Sequence, residues 1–326
     1  MRQLAIQRES FPIRGVFRIS RGARTEAHVV TVTLTDGGVA GRGECVPYAR
    51  YDETIDSVIA EIEAVRPLIE SGIGREELLT VMKNGAARNA VDCALWDLEA
   101  KQAGKRVWEL AGLPEPKPLI TAYTISLDEP EAMGRNAAEN ADRPLLKLKL
   151  TGDGDLERVE AIHRNAPKAR LIVDANEGWS LEHYLRYAPA LVALGVEMIE
   201  QPLKAADDAP LAGAEHPLPV CADESCHDLR SLEHMVGKYE MINIKLDKTG
   251  GLTEALRLKQ AAEQAGLGVM VGCMIGTSLS MAPGIVAGQG AKVVDLDAPL
   301  LLAADRPGGL TYEGSLVHPP SRELWG

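Results

Sequence analysis

Three acidic residues, Asp174, Glu200 and Asp223, recur at spacings of 26 and 23, each closing a short apolar run. Lys147 and Lys149 stand two apart in the run before them, and Lys245 closes the run after them. Residues two apart on a strand share a face, so Lys147 and Lys149 address one space. Charges placed inside apolar strands are costly unless paired or metal-bound. Neighbouring strands lie about 4.8 Å apart, which lets carboxylates at three consecutive strand ends converge. Like charges about 4 Å apart repel by roughly 4 kcal/mol at an effective dielectric near 20, so three need protons or a cation. All-oxygen ligation selects a hard ion, and the expected one is Mg²⁺, with substrate or water completing its octahedron. Any one of these carboxylates alone reads more readily as a loop or helix cap. What separates the set from that reading is the match of three strand ends with lysines on both sides. Lysines flanking such an ion suit acid and base roles on opposite faces of one carbon. Each must then shed its proton part of the time, a shift from about 10.4 to 7–8, or roughly 4 kcal/mol.

The elements that must position these groups repeat. Apolar runs begin at residues 119, 145, 169, 196, 219, 241, 268 and 293, and helical patterns fit between most of them. Strand–helix alternation at that spacing predicts parallel βαβ units, and eight of them predict a closed barrel with its site at the C-terminal strand ends. A doubly wound open sheet is the alternative, but the chain has no glycine-rich phosphate turn. The eighth run is followed by Pro299 and then Pro307-Gly308-Gly309 rather than by a helical pattern. The expected fold is therefore an α/β (β/α)7β modified TIM barrel over residues 116–304. Pro114, Pro116 and Pro118 mark its boundary with an N-terminal α+β capping domain, residues 1–115. There, residues 27–34 and 39–46 flank Asp36-Gly37-Gly38 as a hairpin, and residues 54–69 and 86–103 are helical. Residues 305–326 form a tail expected to pack back on the cap.

At 326 residues, with 45% hydrophobic and 25% charged residues, the chain is long and apolar enough for a large core. Its 35 basic and 47 acidic residues leave a net charge of −12. That balance argues against nucleic acid and against anionic membranes, and leaves a small acidic substrate open. Five cysteines without a C-x-x-C spacing read as reduced thiols in a cytoplasm. Residues 1–9 carry no apolar signal core, and no apolar run is long enough to span a membrane. A homo-oligomer is compatible with the sequence.

The constellation resembles the muconate-lactonizing branch of the enolase superfamily, and within it the dipeptide epimerases. The likeness extends through Arg21-Gly22-Ala23-Arg24-Thr25-Glu26-Ala27, Gly43-Glu44-Cys45-Val46-Pro47-Tyr48, Ala86-Ala87-Arg88-Asn89-Ala90 and Asn243-Ile244-Lys245-Leu246-Asp247-Lys248-Thr249-Gly250-Gly251. The resemblance implies an isomerase: a 1,1-proton transfer at Cα of the C-terminal residue of a dipeptide such as L-Ala-D/L-Glu, in murein peptide recycling. It implies Mg²⁺ on Asp174, Glu200 and Asp223, with Lys149 and Lys245 as the two bases and Lys147 as a cation against the substrate carboxylate. Asp295 and Asp297, the more specific element, would hold the α-ammonium. Arg24 would fork onto a side-chain carboxylate. Thr124 is expected to donate to substrate and Cys273 to line the pocket. A cycloisomerase or dehydratase such as an o-succinylbenzoate synthase, or an epimerase of other dipeptides, remains the alternative. Asp295-x-Asp297 counts against the first, whose substrates carry no ammonium.

Overall fold

The computed structural model describes residues 1–326. Gly37 and Gly38 take φ of 59° and 80°, the left-handed conformation that a two-residue hairpin turn requires. They join β2 (Gly22–Asp36) to β3 (Val39–Cys45) in antiparallel register from Asp36 opposite Val39. An additional strand, β1 (Gln3–Ile19), pairs along the other edge of β2. Sequence reading contained no strand here. The reason is that β1 is an edge strand with only Leu4 and Ile13 fully buried, so no alternating pattern announces it. Val30, Val32 and Leu34 of this sheet pack on the helix Ala86–Ala103, whose residues are almost all buried. Gly41 and Gly43 of β3 make that contact close: a Cβ there would lie 2.3 Å from Leu98 N and 2.1 Å from Ala90 O. Helices Ile55–Ala64, Arg66–Ser71 and Arg75–Val81 complete the cap's core through Val58, Ile62, Ile69 and Leu78.

The run at 119–125 divides between two sheets. β4 (Leu119–Ile120) pairs with a late strand, while β5 (Tyr123–Ile125) starts the barrel. The switch falls at Thr121 and Ala122, whose N–H groups donate to Ser315 O and Val294 O, acceptors in different sheets. After β5 come β6 (Leu145–Lys149), β7 (Arg170–Asp174), β8 (Val196–Glu200), β9 (Val220–Ala222), β10 (Met241–Lys245), β11 (Gly268–Gly272) and β12 (Val293–Val294). All eight are parallel and ordered as in the chain, and Ala122 N to Val294 O, 2.8 Å, joins the first to the last. Helices Pro130–Glu139, Asp155–Asn165, Leu181–Ala193, Leu252–Gln264 and Ser278–Ala287 wrap the outside. The architecture is a (β/α)7β barrel with an N-terminal α+β cap.

The barrel floor is an apolar plug: Ala122, Leu145, Ile172, Met198, Cys221, Met241, Met270 and Val293 form one buried cluster, one residue from each strand or its first flank. Such layering is how a barrel of this size fills its interior. The charged residues lie further along the same strands, toward their C-terminal ends. After β12 the chain forms β13 (Tyr312–Glu313) and β14 (Leu316–Val317), the latter pairing with β4. The tail also touches the cap: Arg306 pairs with Glu9 and Glu44, and the buried Trp325 donates its indole N–H to Cys93 O. No helix is long and apolar enough to cross a membrane.

Candidate active site

The ladder sets Lys149 opposite Asp174 and Asp174 opposite Glu200, so these groups reach one level from adjacent strands. Asp223 follows the end of β9, with its N–H on Gln201 Oε1. All three carboxylates are buried, and each uses its two oxygens differently. One oxygen of each is fixed by a buried neighbour: Asp174 Oδ1 by Asn176 N (2.9 Å), Glu200 Oε1 by Asn243 Nδ2 (2.7 Å), Asp223 Oδ1 by Lys248 Nζ (2.7 Å). The other faces a lysine. Asp174 Oδ2 lies 2.6 Å from Lys149 Nζ and 3.3 Å from Lys147 Nζ. Glu200 Oε2 lies 2.7 Å from Lys147 Nζ, and Asp223 Oδ2 lies 2.6 Å from Lys245 Nζ.

The electrostatics follow from this pairing. Burial alone would raise Asp174, but Lys149 and Lys147 outweigh it and hold the carboxyl at about 2. Burial likewise opposes ionisation of Asp223, and Lys245 and Lys248 drive it well below the usual range. Glu200 is raised, by burial and then by the neighbouring Asp174. Burial pulls Lys147 and Lys245 down, but the surrounding carboxylates win and hold both above the ordinary lysine range.

These residues fit a hard divalent cation, although the carboxylates do not close into a three-ligand cage while ammonium groups stand between them. The donors are all oxygen, one oxygen of each carboxylate is already fixed, and the buried Glu200 Oε2 accepts no well-formed hydrogen bond.

Over the strand ends lies a cavity of about 400 Å³. The barrel contributes Lys149, Asp223, Glu224, Lys245 and Cys273; the cap contributes residues 21–24 and 48–51. Three arginines reach it from the cap. Arg21 pairs with Glu224 at 2.8 Å, and Arg50 with Glu177 at 2.7 Å. Arg24 makes no ion pair; its guanidinium lies 5.3 Å from the ring centroid of Tyr48. It is the cap's one uncommitted guanidinium in the cavity wall.

Asp295, Asp297 and Thr124 are buried beside the site and are not part of the cavity wall. Asp295 Oδ2 accepts from Lys147 at 2.8 Å, and Asp297 Oδ2 accepts from Thr124 N at 2.6 Å. Only Val293 and Val294 of the eighth run belong to the ladder, and Asp297 is the N-cap residue of the short helix Ala298–Leu301. Burial and the adjacent Asp295 push Asp297 to about 7. Cys273 is half-buried in the wall, its thiol raised by burial and by the two aspartates.

Sequence reasoning assigned no role to Glu224, Tyr48, Arg50, Glu177 or Lys248. Glu224 and Lys248 each stand beside an assigned residue, and their signal was charge in an otherwise buried stretch. Tyr48, Arg50 and Glu177 come from loops, where no periodicity marks a direction. The glycine pair of the Asn243–Gly251 motif has a steric cause. Gly250 and Gly251 take φ of 75° and 114°, and a Cβ on Gly251 would lie 2.4 Å from Asp92 Oδ2. The barrel loop thus meets the cap helix directly, with Arg88 donating to Thr249 O and Gly250 O, Asn89 to Asp247, and Thr253 to Asp92.

Residues 132–322 match the enolase C-terminal domain-like family, and residues 1–112 match the N-terminal domain of mandelate racemase / muconate lactonizing enzyme. The L-Ala-D/L-Glu epimerase of Escherichia coli (strain K12) is 45% identical over 320 residues, 98% of this chain and 100% of that one. An enolase family member from Agrobacterium tumefaciens with homology to dipeptide epimerases, solved with sodium and L-Ala-L-Glu bound, is 54% identical. It superposes with a TM-score of 0.98 over 100% of both chains. A dipeptide epimerase from Cytophaga hutchinsonii, solved with Mg and D-Ala-L-Val, is 27% identical, with a TM-score of 0.91 over 97% of this chain and 92% of its own. A barrel with lysines and carboxylates on these strand ends, under a cap matched along almost its full length, thus belongs to the enolase superfamily, in its mandelate racemase and muconate lactonizing branch.

Proposed function

We propose that this chain is a Mg²⁺-dependent dipeptide epimerase that inverts Cα of the C-terminal residue, with L-Ala-D/L-Glu, a murein peptide fragment, as substrate. One observation carries the reading. Lys149 and Lys245 both line the cavity beneath the cap, and they come from β6 and β10. Those strands are four apart in a ring of eight, so the two ammonium groups approach from opposite sides of the barrel mouth. A carbon held between them can lose a proton to one and gain a proton from the other.

Asp174, Glu200 and Asp223 would hold the cation. When bound, the ion would offset charge on the substrate carboxylate and on the three ligands, weakening the carboxylate field that holds Lys245 protonated. Lys149 takes the Cα proton of one epimer, and Lys245 returns a proton on the other face. Lys147, buried among Asp174, Glu200 and Asp295, stays cationic and stabilises negative charge as it develops on the carboxylate. Arg24 receives the glutamate side chain, as the uncommitted cation of the cavity wall. Asp295 and Asp297 supply the negative end for the α-ammonium, next to Lys147 and Thr124. The cap excludes water from a carbanion that water would otherwise reprotonate.

The deciding experiment is incubation of L-Ala-L-Glu with the enzyme and Mg²⁺ in D₂O. The expected result is loss of the glutamate Cα proton by NMR with appearance of L-Ala-D-Glu. Retention of that proton, with turnover of an N-acylated amino acid instead, would transfer the reading to a racemase of the same branch.

A further inference from the structure

Two segments of the cap cover the cavity, residues 21–24 and 48–51, and both are tied to one short stretch of the barrel. That stretch follows β7. Asn176 O accepts from Ser20 Oγ at 2.9 Å and from Arg21 Nη1 at 2.8 Å. Glu177 accepts from Arg50 twice, Nε to Oε2 at 2.7 Å and Nη2 to Oε1 at 2.8 Å, and from Arg21 Nη1 at 3.3 Å. A planar fork on a buried carboxylate is the strongest and most directional side-chain pairing available. The loop carrying it is strained: Asn176 and Glu177 have φ of 45° and 67°, although neither is glycine. It is held there by neighbours, with Glu177 N donating to Gln201 O at 2.9 Å, Trp179 N to Pro202 O at 2.9 Å, and Ala205 N to Glu177 Oε1 at 2.9 Å. Strain persists only where the surroundings over-determine it, and here it aims one carboxylate at the cap. Glu177 does not line the cavity and touches none of the proposed reacting groups.

We infer that Glu177 is a positioning residue that fastens residues 21–24 and 48–51 over the substrate, and so sets binding of the acidic side chain through Arg24. Arg21 and Arg50 are then structural cations of the cover, which leaves Arg24, 5.3 Å from the Tyr48 ring centroid and without an ion pair, to face the ligand. The inference rests on the epimerase reading only for its kinetic readout.

The test is Glu177→Gln, which keeps the shape and removes the charge. KM for L-Ala-L-Glu is expected to rise roughly 10- to 100-fold, with kcat within about threefold, since the lysines are untouched. Arg50→Gln, a change at a partly exposed side chain that leaves the core intact, should raise KM similarly. The double variant should be no worse than Glu177→Gln alone, because Arg50 acts through Glu177. In the unliganded protein, Glu177→Gln should speed amide hydrogen exchange of residues 20–24 and 48–51 together, leaving β6 and β10 protected. Additive single effects, or a fall in kcat with KM unchanged, would overturn the inference. So would unaltered exchange in either cap segment. Hydrogen exchange needs no turnover, so a wild-type protein inactive on every dipeptide would sink the proposed function and still leave the fastening decided.

Discussion

Lys248 donates to Asp223 Oδ1 at 2.7 Å, and both side chains are shut away from solvent. Asp223 thus has a permanent inner partner and a second oxygen facing Lys245. The aspartate is part of the fold as well as a proposed metal ligand.

Asp223→Asn is therefore expected to act twice. Mg²⁺ affinity should fall more than 100-fold by calorimetry, a loss beyond the 10–100-fold typical of an outer partner. Stability to urea should fall by about 3–5 kcal/mol, the cost of leaving a buried ammonium without its anion. Unchanged Mg²⁺ affinity would remove Asp223 from the ligand set. Chelation of the wild type with EDTA should abolish turnover, and Mg²⁺ should restore it.

Replacing Lys245 by Ala should stop epimerisation in both directions, because one of the two proton transfers is missing. Lys149 should still exchange the Cα proton of one epimer with D₂O and keep its configuration; Lys149→Ala should show the mirror pattern. NMR of L-Ala-L-Glu and L-Ala-D-Glu with each variant reads this out. Near wild-type interconversion by either variant would end the two-base mechanism.

Arg24→Ala should penalise L-Ala-L-Glu far more than a dipeptide with an apolar second residue. A lost charge-assisted pair is worth about 1.5–3 kcal/mol, or roughly 10- to 150-fold in kcat/KM. An equal loss on both substrates would place the glutamate preference elsewhere.

Asp92, wholly buried between the cap helix and Thr253, is raised by burial to about 6 from 3.8. The folded state binds this proton more tightly than the unfolded chain, so stability falls as pH rises from about 4 to about 6 and is level above that. Asp92→Asn lacks the titration. Its stability relative to wild type should climb by up to roughly 3 kcal/mol between pH 4 and pH 7. Urea unfolding across that range measures it, and parallel stability–pH curves would count against ionisation of Asp92 in the folded state.

The barrel was legible because six of its eight apolar runs end in charge, and Lys147, Lys149, Asp174, Glu200, Asp223 and Lys245 all fall on that repeat. β1 was not legible, because an edge strand that buries only Leu4 and Ile13 shows too little alternation to read. Nor was the break in the first run, since Leu119–Ile120 and Tyr123–Ile125 are equally apolar and only their partners differ. Asp295 and Asp297 stand two apart, the spacing of one strand face. The ladder ends at Val294, and Asp297 instead begins a turn of helix, a difference set by Pro299 in its first turn. The cap's arginines looked alike in sequence; which of them is free depends on Glu177 and Glu224 across the domain contact.

Gly41 and Gly43 bring the backbone of β3 against the backbone of helix Ala86–Ala103, with no side chain between them. They work as a spacer of zero thickness, and that sets how closely the helix lies on the cap sheet. The same helix carries Arg88 and Asn89 to acceptors that follow β10, and sets Asp92 to accept from Thr253. A methyl group at Gly43 would lift the helix and misalign all three contacts at once, so an alteration in the cap's interior would be felt beside Lys245. A spacer inside the cap thus sets where three of its contacts to the barrel fall.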